Sequence, residues 1–261
     1  MAKPKIGISM LYCLSKPFYR MLKLLSKIEV QFVEVVDEGL HEINKKRVAT
    51  LNDIAKSKGL RYFVHAPFAD INIASPSKPM LNASIKRLEE SMAHAYTLNA
   101  ELWIFHPGAK TGISTFYPNK DWKQNIQTIL KLHETAEEYG LNIAIENLPG
   151  RYGFLMEQPE NFQKFYKETS LYDVGVVLDV GHANLDAQTI NFLRKLPDKI
   201  LHMHISDNTG EHDQHLGIGY GKIDWQQFAE ILYEIAYDKT LVVEAVEHVE
   251  ESVQKLQQLL T

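Results

Sequence analysis

The chain has 261 residues, 45% hydrophobic and 23% charged, which is enough apolar material for a sizeable core and excludes a disordered chain; the length matches one α/β barrel of roughly 250 residues. A formal net charge of −5 argues against unselective binding to nucleic acid, although a local basic stripe is compatible with an acidic total. No apolar stretch approaches the roughly 20 residues of a membrane span, no signal-like run opens the chain, and the one cysteine, Cys13, excludes an intrachain disulfide and a cysteine-built zinc site; the chain therefore reads as a cytoplasmic protein with no membrane partner, in which any metal is left to His, Asp and Glu.

Short β-rich runs alternate with longer amphipathic stretches. "KIGISM" predicts a first strand, and it lacks the glycine-rich turn that a doubly wound dinucleotide-binding sheet needs. "FVEVV" predicts a second strand and runs into the acidic stretch "VVDEGLHEI". A helix over 43–58 then leads to the strand "YFVHAP", a helix over 80–99 to "LWIFHP", and a helix over 121–140 to "NIAIEN". A helix over 159–168 precedes "VGVVLDV" and "ILHMHIS"; the loop glycines of "GIGYG" at 217–221, a helix over 224–236, the strand "LVVEAV" and the closing helix "EESVQKLQQLL" complete the chain. Eight strand candidates at about 33 residues per unit predict a single (β/α)8 TIM barrel over residues 1–261. No linker or internal repeat divides it.

Polar residues recur at the carboxyl ends of these runs: His65, His106, Glu146, Asp179 with His182, His202 with His204, and Glu244. In a barrel those ends converge on the face that carries active sites. A single histidine at a strand end is ordinarily a hydrogen-bonded structural residue. An ionised carboxylate inside "IAIEN", "VVLDV" or "LVVEA" is costly unless paired or metal-bound, and these runs hold no Lys or Arg to pair with it. Imidazole together with carboxylate suits zinc, iron, manganese or cobalt. The segment "HMHISDNTGEHDQH" at 202–215 adds Asp213 and His215 to the candidates. Cys13 has no partner arrangement for a thiolate nucleophile and reads as inert. Lys and Arg fall mostly on helices and read as solvated faces.

From "VHAPFADINIASP" to "LVVEA" the ordered motifs resemble the xylose-isomerase-like barrel superfamily, which joins sugar and sugar-phosphate isomerases and epimerases to the endonuclease IV branch of DNA repair. In the isomerase and epimerase branch, the resemblance implies one metal held by Glu146 of "IENLP", Asp179 of "LDVGH", His204 of "HISDN" and Glu244 of "VVEA". In the endonuclease IV branch it implies three zinc ions, with His65, His106, His182, Asp213 and His215 added. All nine positions match. The loops depart from the nuclease: "VVDEGLHEI" is acidic where phosphates would approach, and Ala69 follows Phe68 where a larger residue is expected. "LDVGHAN" also lacks the threonine and cysteine that the nuclease tends to place before its histidine.

The resemblance therefore implies a metal-dependent sugar or sugar-phosphate isomerase or epimerase of carbohydrate metabolism, working through an enediolate with Glu146 and Glu244 as catalytic residues. It would hold one to three divalent ions (Zn, Mn, Fe or Co). Phe68, His182 and His202 are assigned to substrate contact, with His202 one layer below His204, and His212 reads as a solvated loop residue. The alternatives are a zinc phosphodiesterase acting at abasic sites in DNA, the disfavoured partner, and a non-catalytic sugar- or metal-binding barrel. Oligomeric state is left open.

Overall fold

A computed structural model of the chain, describing residues 3–261, contains eight parallel strands closed in sequence order: β1 Lys5–Ser9, β2 Phe32–Val36, β3 Arg61–His65, β4 Trp103–Phe105, β5 Ile143–Glu146, β6 Gly175–Asp179, β7 Ile200–Ile205 and β8 Thr240–Val243. β8 closes the ring on β1, with Ile8 opposite Val243. The expected TIM barrel is present. Around it run α1 Phe18–Leu25, α2 Lys45–Lys58, α3 Lys78–Thr97, α4 Lys120–Tyr139, α5 Pro159–Thr169, α6 Val180–Leu185, α7 Thr189–Lys195, α8 Trp225–Glu234 and α9 Val249–Leu259. Among the described residues no helix is long and apolar enough to cross a membrane.

Local signals explain where the predicted helices start and stop. Asn44 caps α2 by accepting from the Arg47 amide, and Gly59 ends it with φ +70°, a conformation that costs glycine nothing. The three unpredicted helices, α1, α6 and α7, have eight residues or fewer, shorter than the roughly 11 to 18 residues over which apolar periodicity is read. α6 leaves β6 without a loop, its first turn capped by the Asp179 carboxylate accepting from the His182 amide at 2.7 Å. Arg87 departs from the solvated reading of helical cations: from α3 it reaches the fully buried Asp37 at 2.8 Å.

Two cores result. The larger lies between strands and helices, and contains Cys13, whose thiol burial pushes up to about 11. The smaller fills the barrel with Phe32, Phe63, Ile104, Ala144, Val177 and Val242. Alternate strand residues share a face, so the side chains two positions further along form the next layer: Ser9, Glu34, His65, His106, Glu146, Asp179, His204 and Glu244. Each strand thus sends one polar side chain into the layer above the apolar plug. β1 supplies Gly7 to the plug because Phe32 and Val242 already occupy the space; an added Cβ would lie 2.8 Å from the Phe32 carbonyl oxygen.

Gly7→Ala should overpack the plug against backbone and cost about 1–3 kcal/mol, lowering Tm by roughly 2–4 °C per kcal/mol in a chain of this size. Thermal denaturation of the variant checks this, and a Tm equal to that of the parent contradicts the packing argument.

Candidate metal centre

The polar layer, α6 with His182, and the loop after β7 bring all nine predicted ligand positions together. Among these nine, potential ligand atoms lie within 4.8 Å of one another in three groups: His65, His106 and Glu146; Glu146, Asp179, His204 and Glu244; and His182, Asp213 and His215; a fourth such group, Glu34, His202 and His204, includes two residues outside the nine. Glu146 joins the first two. Its Oε2 is 3.1 Å from His65 Nε2 and 3.3 Å from His106 Nε2, and its Oε1 is 3.4 Å from His204 Nδ1. His204 Nδ1 also lies 3.3 Å from Glu244 Oε2 and 3.8 Å from Asp179 Oδ2. In the third group Asp213 Oδ2 is 3.0 Å from His182 Nε2 and 3.2 Å from His215 Nε2.

The far side of most of these rings is fixed. His65 Nδ1 faces the Ala66 carbonyl at 2.8 Å, His182 Nδ1 the Asn147 carbonyl at 3.0 Å, His215 Nδ1 the Glu244 carbonyl at 2.9 Å, and His204 Nε2 the Glu34 carboxylate at 3.0 Å. Each partner only accepts, so each of these nitrogens carries the proton and the opposite nitrogen turns a lone pair toward the carboxylates. Lone pair against lone pair in a dry interior is repulsive unless a proton or cation lies between them. Buried Asp179 Oδ2, His204 Nδ1 and Asp213 Oδ1 have no hydrogen-bond partner at all. Their arrangement fits divalent ions bound at about 2.0–2.2 Å by imidazole and carboxylate.

Comparison with known proteins identifies the family of this barrel. A family model described as a xylose isomerase-like TIM barrel matches residues 22–260. The chain belongs to the xylose isomerase-like TIM barrel family. Protein MJ1311 of Methanocaldococcus jannaschii is 30% identical over 243 residues, covering 92% of this chain and 83% of that protein. A D-psicose 3-epimerase of Ruminiclostridium cellulolyticum is 24% identical over 232 residues, covering 85% of this chain and 76% of that enzyme. The crystal structure of a D-tagatose 3-epimerase-like protein superposes with a TM-score of 0.91 at 28% identity, covering 98% of this chain and 97% of that one.

On this family barrel, loops complete the third group. The carboxylate of Asp207 accepts from the Gly219 amide at 2.9 Å, the Ile223 amide at 3.2 Å and Trp225 Nε1 at 2.9 Å, and its backbone pairs with Leu216. The segment carrying Asp213 and His215 is thereby closed at its base. His215 has φ +46°, a left-handed conformation uncommon for a side-chain-bearing residue and held here by the Val246 amide on its carbonyl at 2.9 Å. Arg151 ties the β5 loop to this segment by donating to the carbonyl of Glu211, and to α6 by donating to that of Leu185.

Phe68, expected to contact substrate, has its ring stacked on His106 at 5.4 Å and edge-on to His65 at 5.5 Å. Glu38 of the acidic stretch holds this loop, its Oε2 accepting from the Phe68 and Ala69 amides at 2.9 Å each. His182 lies between the second and third groups, 3.2 Å from Glu146 Oε1 and 3.7 Å from Asp179 Oδ2. His212 is an exposed loop residue, as expected. His202 requires correction: it is 0% exposed, in the apolar plug, with its ring 4.6 Å from that of Phe63. The His204 layer lies between it and the mouth, so it cannot contact substrate. Glu34 and Ser9 were missed, although Glu34 in "FVEVV" gives the same signal, a carboxylate in an apolar run, that identifies Glu146.

Charge is strongly redistributed among these groups. Burial opposes an imidazolium at His65, yet the hydrogen bond and charge of Glu146 outweigh it and hold the ring up at about 9. Against the same burial, Asp213 and Glu244 hold His215 at about 9. Burial would raise Glu146, but His204, His106 and His182 hold it well below the usual carboxylate range. Burial, only partly offset by His204, pushes Glu244 up to about 7.

His65 and His215 bind their protons more tightly folded than at the ~6.5 of an unfolded chain, so the stability they contribute is complete below that pH and is lost as pH rises through about 9. Chelator-treated protein should therefore show a falling Tm between pH 6.5 and 9, whereas protein supplied with zinc or manganese should not, because cations take deprotonated imidazole. Differential scanning fluorimetry across that window tests this; a flat profile for the chelated protein counts against the arrangement.

Proposed function

We propose that the protein is a metal-dependent sugar epimerase or isomerase that moves a proton at a carbon next to a ketose or aldose carbonyl. The observation that carries this reading is the arc formed by consecutive strands β5 to β8, which places Glu146 and Glu244 at its two ends and Asp179 and His204 between them, with both glutamates within 3.4 Å of His204 Nδ1. A divalent ion in this group supplies the Lewis acidity that makes the carbon-bound proton removable.

The chain's own residues do the rest. One glutamate removes the proton and the other returns one from the opposite side of the carbon; a positioned carboxylate contributes about 10²- to 10⁴-fold in such a transfer. In the absence of an ion the surroundings hold Glu146 ionised and burial pushes Glu244 up to about 7; with a divalent ion bound both are held as carboxylates, so either could take the proton first. Phe68 walls the mouth beside His65 and His106 and excludes water on that side. The relative named D-psicose 3-epimerase supports a ketose as substrate and C3 as the carbon inverted.

One observation favours a second reading. His65, His106, His182, Asp213 and His215 complete two further groups that a single-ion epimerase does not need, and clustered divalent ions suit phosphodiester hydrolysis. The net charge of −5 and the engagement of Glu38 at the mouth weigh against DNA as the substrate.

Replacing Asp213 and His215 together by alanine should lower metal content while leaving exchange of solvent deuterium into a ketose within about tenfold of the parent, near 1.4 kcal/mol in barrier. Metal content, deuterium exchange across a panel of ketoses and their phosphates, and cleavage of abasic duplex DNA are measured on both proteins. An unchanged metal count sinks the multi-ion centre, and a thousandfold loss of exchange sinks the sufficiency of the four-residue group. DNA cleavage without deuterium exchange promotes the second reading.

A further inference from the structure

We propose that Glu34 of β2 is the positioning residue of this centre, fixing the tautomer and tilt of His204 so that Nδ1 is the free nitrogen turned toward Glu146, Asp179 and Glu244. The inference rests on the assignment of His204 as a ligand in the proposed function. Glu34 is 0% exposed. No lysine or arginine among the described residues lies within 4.0 Å of it; its charged partners are His204 Nε2 at 3.0 Å and His202 Nε2 at 3.2 Å, both facing Oε2. The contact with His204 has hydrogen-bond geometry, whereas both ring nitrogens of His202 remain without a partner.

The position would otherwise favour an apolar residue. Phe32, two residues earlier on the same face, is part of the plug, and a carboxylate kept from water costs several kcal/mol unless its charge is used. The use the geometry offers is orientation. An imidazole places its proton on whichever nitrogen has the better acceptor, and on the centre side Glu146, Asp179 and Glu244 also compete for it. Glu34 wins that competition by hydrogen-bond alignment. Ser9 sets the direction of the carboxylate: its hydroxyl lies 3.1 Å from Glu34 Oε1 and 3.3 Å from Glu244 Oε1, leaving Oε2 for His204. A carboxylate behind a ligating histidine typically raises metal affinity 10- to 100-fold by fixing tautomer and ring.

The test uses the full chain with zinc ion alone as the probe. Affinity is measured by competition with a chromogenic chelator, and the His204 tautomer by two-bond ¹H–¹⁵N correlation on zinc-loaded, histidine-labelled protein. The parent should show His204 with zinc on Nδ1 and the proton on Nε2. Glu34→Ala should lose about 10- to 100-fold in zinc affinity and the single tautomer with it. Glu34→Gln keeps an acceptor oxygen for the Nε2 proton and should restore the parent tautomer and most of the affinity, which a merely space-filling role would not predict for Ala and Gln together. If Glu34→Ala does not fold, the parent and Glu34→Gln spectra still decide the matter. A parent proton on Nδ1, or unchanged affinity in Glu34→Ala, overturns the proposal alone. A parent that takes up no zinc overturns the ligand assignment beneath it.

Discussion

A carboxylate deprived of water must be given a countercharge, and this barrel buries several in one layer. Glu34, Glu146, Asp179 and Glu244 are each 4% exposed or less, and Asp213 closes the layer from the loop after β7. Among the described residues no lysine or arginine pairs with them; the charged partners present are imidazoles. Either those imidazoles are protonated or cations take the place of the protons. The raised proton affinity of His65, His182, His204 and His215 and the preference of divalent ions for the same atoms are two expressions of one electrostatic deficit.

The rest of the molecule follows from that layer. An apolar plug lies directly beneath it, so the charged groups face a low-dielectric floor and their mutual attractions are strong. Strand ends and short loops, rather than long mobile segments, carry the candidate ligands, and hydrogen bonds to carbonyls on the outer side of the rings fix their direction. Loop contacts such as Asp207 at the base of the 207–216 segment and Arg151 across its tip hold Asp213 and His215 near His182. A centre assembled in this way is preorganised, and preorganisation is what both cation binding and proton transfer require.

The barrel and most of the centre were legible in the sequence because strand periodicity and cost of burial leave marks in it. Polar residues at the carboxyl ends of short β runs marked His65, Glu146, Asp179, His204 and Glu244 as candidates, and the family resemblance supplied the ligand sets. Glu34 carries the same mark, but its strand runs directly into the acidic stretch "VVDEGLHEI", of which its carboxylate reads as a part. For His202 strand alternation gave the right face and the deeper layer, but the assignment to substrate ignored that the His204 layer lies above it. The clamps made by Asp207, Arg151 and Glu38 depend on loop geometry, which no periodicity encodes, and α6 was hidden because Asp179 serves at once as strand end, helix cap and candidate ligand.

The central claim is that the polar layer exists to hold cations. The most direct test is elemental analysis by inductively coupled plasma mass spectrometry of protein purified without added metal, with Tm recorded before and after dialysis against a strong chelator and again after metal is returned. The account predicts at least one equivalent of zinc, manganese, iron or cobalt per chain, a fall in Tm on its removal and recovery when it is returned. Protein that contains none of these metals, takes up none and melts at the same temperature throughout would contradict it.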